Sequence, residues 1–145
     1  MKTFVLITVS IALVGILFCP MVMAAPPMPD DLQMVQPDPS LPKELSAFFG
    51  KWEGSDVNMQ FFLIIEKIDE EKASIYWWQS GFPAASVPQG WFRREADVIK
   101  WVGKYKLWFR GRAGTNELTL KGENLEAVWP SLYDLTNTIR FRRVP

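Results

Sequence analysis

Strict alternation of apolar and polar residues marks the second half of this chain as β-structure. In the stretch 106–110, apolar Leu107 and Phe109 alternate with basic residues and a tryptophan, and the same two-residue period recurs at 117–121 and 138–142. Successive side chains of a strand point to opposite faces of a sheet. The period therefore predicts strands with one buried face and one solvated face, as in the wall of a barrel.

Turn residues separate the predicted strands at regular intervals. An acidic turn at 69–72 joins the first two long apolar runs as a hairpin, and the Gly- and Pro-containing stretch 80–90 is predicted to be a loop. About seven to nine short strands indicate an all-β fold, a sandwich or barrel, of which we favour a small antiparallel up-and-down β-barrel. The predicted strands begin near Lys51 and continue at 59–68, 73–79, 91–101 (one strand or a pair), 105–110, 116–121, 125–129 and 138–143.

The first 25 residues have the pattern of a secretory signal peptide. Lys2 precedes an apolar run over residues 4–18, and small residues close the segment at Ala24 and Ala25. This arrangement predicts cleavage after one of those alanines and a secreted or periplasmic protein of the cell envelope. Two alternatives stay open. One is an uncleaved anchor, since the apolar run is nearly long enough to cross a bilayer, and the other is lipidation at Cys19.

Residues 26–42 are predicted to be a Pro-rich linker between the signal and a single domain at 43–145. Six prolines fall within residues 25–42, and few residues there are aromatic or β-branched. We therefore expect an extended or disordered tether that does not join the core. A short N-terminal helix is expected next, with Ser40 as its N-cap and Gly50 at its end.

Composition restricts the chemistry that the domain can perform. The sequence has no His, and its one Cys lies in the signal segment. The usual general base, a Cys nucleophile and most zinc sites are thereby excluded, so we expect a non-catalytic protein without metal or cofactor. Sixteen basic residues balance sixteen acidic ones, which argues against nucleic acid as a partner. Seven Trp, three Tyr and eight of the ten Phe fall within residues 48–141 and supply apolar area for a core without disulfides.

The motif Gly50-Lys51-Trp52, at the entrance to the first strand, resembles the Gly-x-Trp signature of lipocalins and the wider calycin group. Those proteins are up-and-down β-barrels in which the Trp plugs one end and a basic residue near the end of the last strand packs across its ring. The resemblance implies that Trp52 is the plug and that Gly50 allows the sharp entry of the chain. It also implies that Arg140 or Arg142 stacks on the indole.

The remainder of the domain resembles small lipocalin-like domains of exported bacterial proteins. In those domains a Gly-x-Trp-x-Gly opening is followed by a hairpin such as residues 64–69, and a Gly-Trp like Gly90-Trp91 follows the next loop. The resemblance extends over residues 45–144. It implies a lipocalin-like barrel that binds a ligand.

Aromatic side chains provide the candidate binding site. Residues 76–78 are three consecutive aromatics, so they alternate between strand faces and cannot all lie inside a barrel. We expect rings displaced from the core to bind a small apolar molecule or a glycan, although packing of the core and the rim is an alternative explanation. The candidate ligand-binding residues are Trp77, Trp78, Trp91, Trp108 and Arg110.

Other functions stay open beside this one. An aromatic and basic surface also suits a cell-envelope module that docks on another protein. A carboxylate-only hydrolase would need a pair such as Asp56 with Glu66. The acidic turn 69–71 lacks the spaced ligands of a calcium loop. The run 104–112 fits a solvated strand face better than a nucleic-acid site, with an acidic glycan or an anionic lipid head group as the functional alternative. A membrane is expected as a partner only if residues 1–25 are not cleaved and remain as an anchor.

Export makes a prediction about the N-terminus of the protein. Mass spectrometry of the exported protein should find a chain that begins at Ala25 or Pro26, with no peptides from residues 1–23. Recovery of the intact N-terminus in the membrane fraction would show instead that the segment is an anchor.

Overall fold

A computed structural model describes residues 26–57, 59–81, 88–111, 114–130 and 136–145. The expected signal peptide lies outside these described residues. Within them the chain forms one short helix and eight strands. Their bounds are α1 Lys43–Ser46, β1 Gly50–Ser55, β2 Gln60–Ile68, β3 Lys72–Gln79, β4 Gly90–Trp101, β5 Lys104–Arg110, β6 Thr115–Lys121, β7 Asn124–Pro130 and β8 Thr136–Val144.

The eight strands close into one antiparallel barrel. Each strand pairs with its neighbours in the sequence, and β1 pairs with β8 to complete the ring. This up-and-down topology confirms the all-β barrel that the alternating pattern predicts. None of the helical structure in the described part of the chain is long and apolar enough to cross a membrane.

The structure decides one open prediction and corrects another. Residues 90–101 form one continuous strand, the first of the two predicted alternatives, because β4 pairs with β3 from Gly90 to Asp97 and with β5 from Asp97 onward. The helix has Pro42, not Ser40, at its N-cap position, and no side chain caps it. The backbone N–H of Ser40 instead bonds to the Asp38 carboxylate at 2.8 Å, so Ser40 belongs to the preceding turn.

The inward-pointing residues of the alternating strands fill the lumen. Leu107 and Phe109 on β5, Leu118 on β6, and Ile139 and Phe141 on β8 are all buried. An eight-stranded barrel has an interior just wide enough for side chains to fill. The described lumen is accordingly a packed core rather than an open cup.

The barrel has two different ends. At the helix end, β1 begins beside α1 and the strands are joined by the turns β2–β3, β4–β5 and β6–β7. At the loop end lie the connections β1–β2, β3–β4, β5–β6 and β7–β8. These two names are used below.

Trp52 closes the lumen near the helix end. Its side chain is buried, and its indole N–H donates a hydrogen bond to the Phe48 carbonyl oxygen at 3.0 Å. Leu45 and Phe48 are buried in the same hydrophobic core. The short helix and Trp52 therefore pack together, and the indole N–H has a partner, as a buried Trp requires.

Arg143, not Arg140 or Arg142, is the basic residue that packs on Trp52. In the β1–β8 register Trp52 lies opposite Arg143, whose guanidinium carbon is 4.2 Å from the indole centroid. Its nitrogens also donate to the carbonyl oxygens of Ala47 at 2.5 Å and Phe49 at 2.6 Å, which ties the end of the helix to the last strand. The expectation was wrong because Arg140 and Arg142 point outward, where they pair with Glu126 and Glu53.

Gly50 is required at the start of β1 for two reasons. Its φ of +124° is a conformation that side chains rarely adopt. A Cβ placed there would lie 2.6 Å from a guanidinium nitrogen of Arg143, so only a glycine lets the arginine reach the carbonyl oxygens of Ala47 and Phe49.

The packing of Trp52 predicts a large loss of stability on truncation. Trp52→Ala should lower the free energy of unfolding by about 3–5 kcal/mol, as large aromatic truncations in cores do. Urea denaturation followed by circular dichroism would measure it. A loss under about 1 kcal/mol would contradict a buried stopper.

The two neighbouring arginines form a matched pair for a second test. Arg143→Ala should cost about 1–2 kcal/mol, because it removes the cation–π contact and two charged hydrogen bonds. Arg142→Ala removes an exposed ion pair and should cost less than about 1 kcal/mol. Equal costs for the two variants would show that the contact with Trp52 does not stabilise the barrel.

Candidate functional site

The loop end of the barrel has an aromatic floor centred on Trp77. This ring lies 5.6–5.9 Å, centroid to centroid, from four others that reach it from different strands of the barrel. Such distances and the tilted or edge-on ring planes are favourable for aromatic pairs. The four partners are Phe61, Phe109, Trp129 and Phe141.

Half-buried apolar side chains border this floor. Met59, Phe92 and Trp129 pack on the core but remain partly open to solvent. β4 pairs with β5 only from Asp97 onward, so its first half extends past the end of β5 as one side of the opening. We call Met59, Phe92 and Trp129, together with the floor beneath them, the mouth.

Two polar side chains accompany the mouth. The Gln79 amide accepts a hydrogen bond from the Trp77 indole at 3.3 Å and donates one to the Pro88 carbonyl oxygen at 2.8 Å. The guanidinium of Arg94 lies 5.7 Å from the centroid of the Phe92 ring and is exposed. An apolar surface with a few polar groups beside it is the usual composition of a small-molecule site.

The five residues expected to bind a ligand do not come together. Trp77 lies in the lumen, Trp78 and Trp91 lie on the outer face of β3 and β4, and Trp108 and Arg110 lie on the outer face of β5. The expectation of one site formed by all five is therefore wrong. The cause is the strand period, since residues 77 and 78 must point to opposite faces.

The outer face of β2, β3 and β4 is apolar and largely buried. Ile64, Tyr76 and Trp78 are buried there, the Trp78 ring lies edge-on to Phe62 at 5.6 Å, and Tyr76 lies edge-on to Trp91 at 6.3 Å. The two central strands are thus covered on both faces. This explains why β2 and β3 read as continuous apolar runs rather than alternating ones.

Residues 26–42 lie across this outer face, which corrects the expectation of a tether outside the core. The segment is extended, as its prolines require, but the Trp91 indole donates to the Pro27 carbonyl oxygen at 2.8 Å. Leu41 belongs to the hydrophobic core. The N-terminal segment therefore packs against the barrel.

Glu66 is the attachment point of the N-terminal segment. It occupies a β-bulge, because Ile65 pairs with Ile75 and Lys67 already pairs with Ser74. The extra residue leaves the Glu66 carbonyl oxygen free to accept from the Val35 backbone N–H at 2.7 Å.

The side chain of Glu66 completes the attachment. It is only 2% exposed, and its carboxylate accepts from the backbone N–H of Gln33 at 3.1 Å, the hydroxyl of Ser74 at 2.7 Å and the guanidinium of Arg93 at 2.6 Å. Burial raises the pKa of Glu66, but these hydrogen bonds and the charge of Arg93 outweigh it, so the pKa lies below its ordinary value. Arg93 also lies 5.3 Å from the centroid of the Tyr76 ring.

Tyr76 lies in the same cluster. Burial, together with the nearby carboxylates of Asp31 and Glu66, raises the pKa of Tyr76 to about 12. The phenol therefore stays protonated at any physiological pH, and it contributes packing rather than acid–base chemistry.

The outer face of β5 carries a separate polar and aromatic surface. The Trp108 ring is 39% exposed, and its indole donates to the Glu117 carboxylate at 2.9 Å. Lys106 pairs with the same carboxylate at 2.8 Å. Burial raises the pKa of Glu117, but the hydrogen bonds from Lys106 and Trp108 lower it by more. The pKa therefore lies below its ordinary value. Arg110 is exposed on the same face.

The suggested carboxylate pair is not assembled. Asp56 lies in the β1–β2 connection at the loop end, whereas Glu66 lies toward the other end of β2 beneath the N-terminal segment. Asp69 accepts the backbone N–H groups of Glu71 and Lys72 and so serves the β2–β3 turn. Among the described residues no group of three or more acidic, Cys or His side chains is arranged to hold a metal ion.

Sequence analysis did not identify Met59, Phe92 and Trp129 as residues of the mouth, and it did not identify Gln79 and Arg94 as the polar side chains beside it. Trp129 offered one signal, since it shares the two-residue period of Leu125 and Ala127 and so faces inward. The position of Phe92 depends on the stagger between β4 and β5, which sequence periodicity does not encode.

Comparison with family models, with curated proteins and with solved structures finds no match to this chain. The barrel is compatible with a calycin-like fold through its strand number, its topology and the Gly50–Trp52 motif.

The buried carboxylate predicts a dependence of stability on pH. A lowered pKa means that Glu66 stabilises the folded state above its ordinary pKa, near 4.5, and that this contribution is lost as the pH falls through the folded-state value. Glu66→Gln should therefore cost about 1–3 kcal/mol at pH 7 and distinctly less near pH 3. Urea denaturation at the two pH values would measure the difference.

The half-buried Glu53, which pairs with the exposed Arg142 on the outer face of the barrel, provides the matched control. Glu53→Gln should change stability by less than about 1 kcal/mol at pH 7. A pH-independent cost for Glu66→Gln would contradict the role assigned to its charge.

Proposed function

We propose that this chain is an exported, non-catalytic, lipocalin-like protein that binds a small apolar molecule or a glycan at the mouth of its barrel. The observation that carries the proposal is the half-buried rim of Met59, Phe92 and Trp129 above the buried ring of Trp77. Aromatic faces stack on sugar rings and also bind apolar molecules.

The packed lumen limits the size of the ligand. Side chains fill the described interior from Trp77 down to Trp52, so the ligand rests on the floor rather than entering the barrel. Arg94, exposed beside Phe92, adds a positive charge at the rim. An apolar ligand with a carboxylate, or an acidic glycan, suits this combination.

Fluorescence titration of the processed chain with a panel of envelope glycans and fatty acids tests the proposal. We expect saturable quenching, and Phe92→Ala or Trp129→Ala should weaken the affinity by about tenfold, equivalent to about 1.4 kcal/mol. Trp108→Ala is the control, because that ring lies on the outer face and should leave the affinity unchanged. Circular dichroism would verify that each variant is folded.

A subtler variant separates the two ligand classes. Phe92→Leu keeps an apolar side chain but removes the aromatic face, so it should weaken a glycan that stacks on the ring and leave an apolar ligand nearly unaffected. The absence of a response to both classes would contradict binding at the mouth.

A cell-envelope interaction module is the second candidate. It is favoured by Trp108 and Arg110, which lie exposed on the outer face of β5, away from the mouth. Tryptophan and arginine are enriched at protein interfaces. Retention of a protein partner that Trp108→Ala abolishes, while Phe92→Ala does not, would decide for this function.

A further inference from the structure

The turn between β4 and β5 is strained at one residue. Trp101 pairs with Lys104, so only Val102 and Gly103 connect the two strands. Both have positive φ, 48° and 74° respectively, as a type I′ turn requires. Glycine adopts this conformation readily, whereas a β-branched residue does so rarely and at a cost. Asparagine is the usual residue in this place, so the fold alone does not explain a valine here.

The strained turn carries two exposed apolar side chains. Val102 is 85% exposed and Trp101 is 65% exposed. Because they are adjacent at the tip of a hairpin, they form one apolar projection, which we call the hairpin tip. Strain that is retained at an exposed apolar position indicates a role outside the fold.

Positive charge lies directly beside the hairpin tip. A surface depression of about 340 Å³ opens next to it on the outer face of β5, β6 and β7, and Trp101, Val102, Lys104 and Lys121 contribute to its lining. Neither of these lysines makes an ion pair with any residue that the structure describes. The depression therefore has positive charge available for an external anion.

The other charges of the depression are already paired. Lys106 pairs with Glu117 at 2.8 Å, and Glu126 pairs with Arg140 at 3.1 Å. The acidic turn 69–71 is at the same end of the barrel, but β2 and β3 lie across the ring from β6 and β7. An anionic surface can therefore approach the β5–β7 side without meeting that turn. The exposed carboxylate of Glu123 lies in the β6–β7 turn on this side, but Lys104 and Lys121 outnumber it.

We propose that the hairpin tip and the depression are a contact site for an anionic phospholipid surface. Trp101 and Val102 enter the boundary between head groups and acyl chains, where tryptophan is enriched in membrane proteins. Lys104 and Lys121 bind head-group phosphates. The site is independent of the mouth, which lies at the opposite end of the barrel.

A fluid surface suits this site better than a protein partner does. A stable protein interface buries roughly 800 Å² on each side and needs a complementary shape. The hairpin tip and the depression together offer two apolar side chains and two lysines that form no ion pair with the described residues, and a lipid surface can accommodate them because its molecules rearrange around them.

Co-sedimentation of the processed chain with lipid vesicles tests the proposal. We expect binding to phosphatidylcholine vesicles that contain about one third phosphatidylglycerol, little binding to phosphatidylcholine alone, and a decrease on addition of salt. Trp101→Ala, Lys104→Glu and Lys121→Glu should each lower the partition coefficient about tenfold. The matched control is Val57→Ala, because Val57 is 97% exposed at the loop end and should not matter.

The valine in the turn provides a variant with opposite effects on folding and binding. Val102→Asn installs the favoured Asn-Gly pair, so it should raise the free energy of unfolding while lowering vesicle binding. Unchanged binding in Val102→Asn and Trp101→Ala would overturn the proposal. So would retention of a protein partner that these variants abolish, without any vesicle binding. Ligand titration at the mouth should be unaffected by either variant.

Discussion

The closed barrel depends on the filling of its lumen by large side chains. A ring of eight strands leaves an interior that must be packed with side chains or occupied by a ligand. Here Trp52 fills it near the helix end and Trp77, with its four aromatic neighbours, fills it near the loop end. Because dispersion contacts are lost wherever a gap opens, these rings also hold the strands at their spacing. Small glycines complement them, and at Gly54 a Cβ would lie 2.9 Å from Ile139.

Because side chains fill the lumen, the surfaces available for binding are the two ends of the barrel and its outer face. The mouth offers rings and a rim arginine, whereas the hairpin tip offers a small apolar projection beside free lysines. The opposite placement follows from up-and-down connectivity, in which alternate turns fall at opposite ends. A protein resting on a membrane by its hairpin tip would therefore present its mouth to the surrounding solvent. The two proposed sites would then operate without competing for the same surface.

The sequence predicted the features that depend on local periodicity and missed those that depend on register. The alternation around Leu107, Leu118 and Phe141 correctly predicted which side chains point inward, because successive side chains of a strand point to opposite faces. The same parity places Arg143 on the inner face with Phe141, but Arg140 or Arg142 was expected instead, because the family resemblance specifies only a basic residue near the end of the last strand. The prolines of residues 26–42 correctly indicated an extended chain. They carried no information about the bulge that receives it, because the bulge depends on the pairing of β2 with β3.

The bulge at Glu66 has a consequence for how errors in strand pairing are rejected. If β2 continued beyond Ile65 without the bulge, Lys67 would point into the core and Ile68 would point outward, because the faces alternate at every residue. Regular pairing would also engage the Glu66 carbonyl oxygen in the β2–β3 ladder, so the backbone N–H of Val35 would lose its acceptor. A mispaired hairpin therefore loses its core packing and its N-terminal cover together. One wrong register is penalised twice, so the correct pairing is separated from its nearest competitor by a cooperative energy gap.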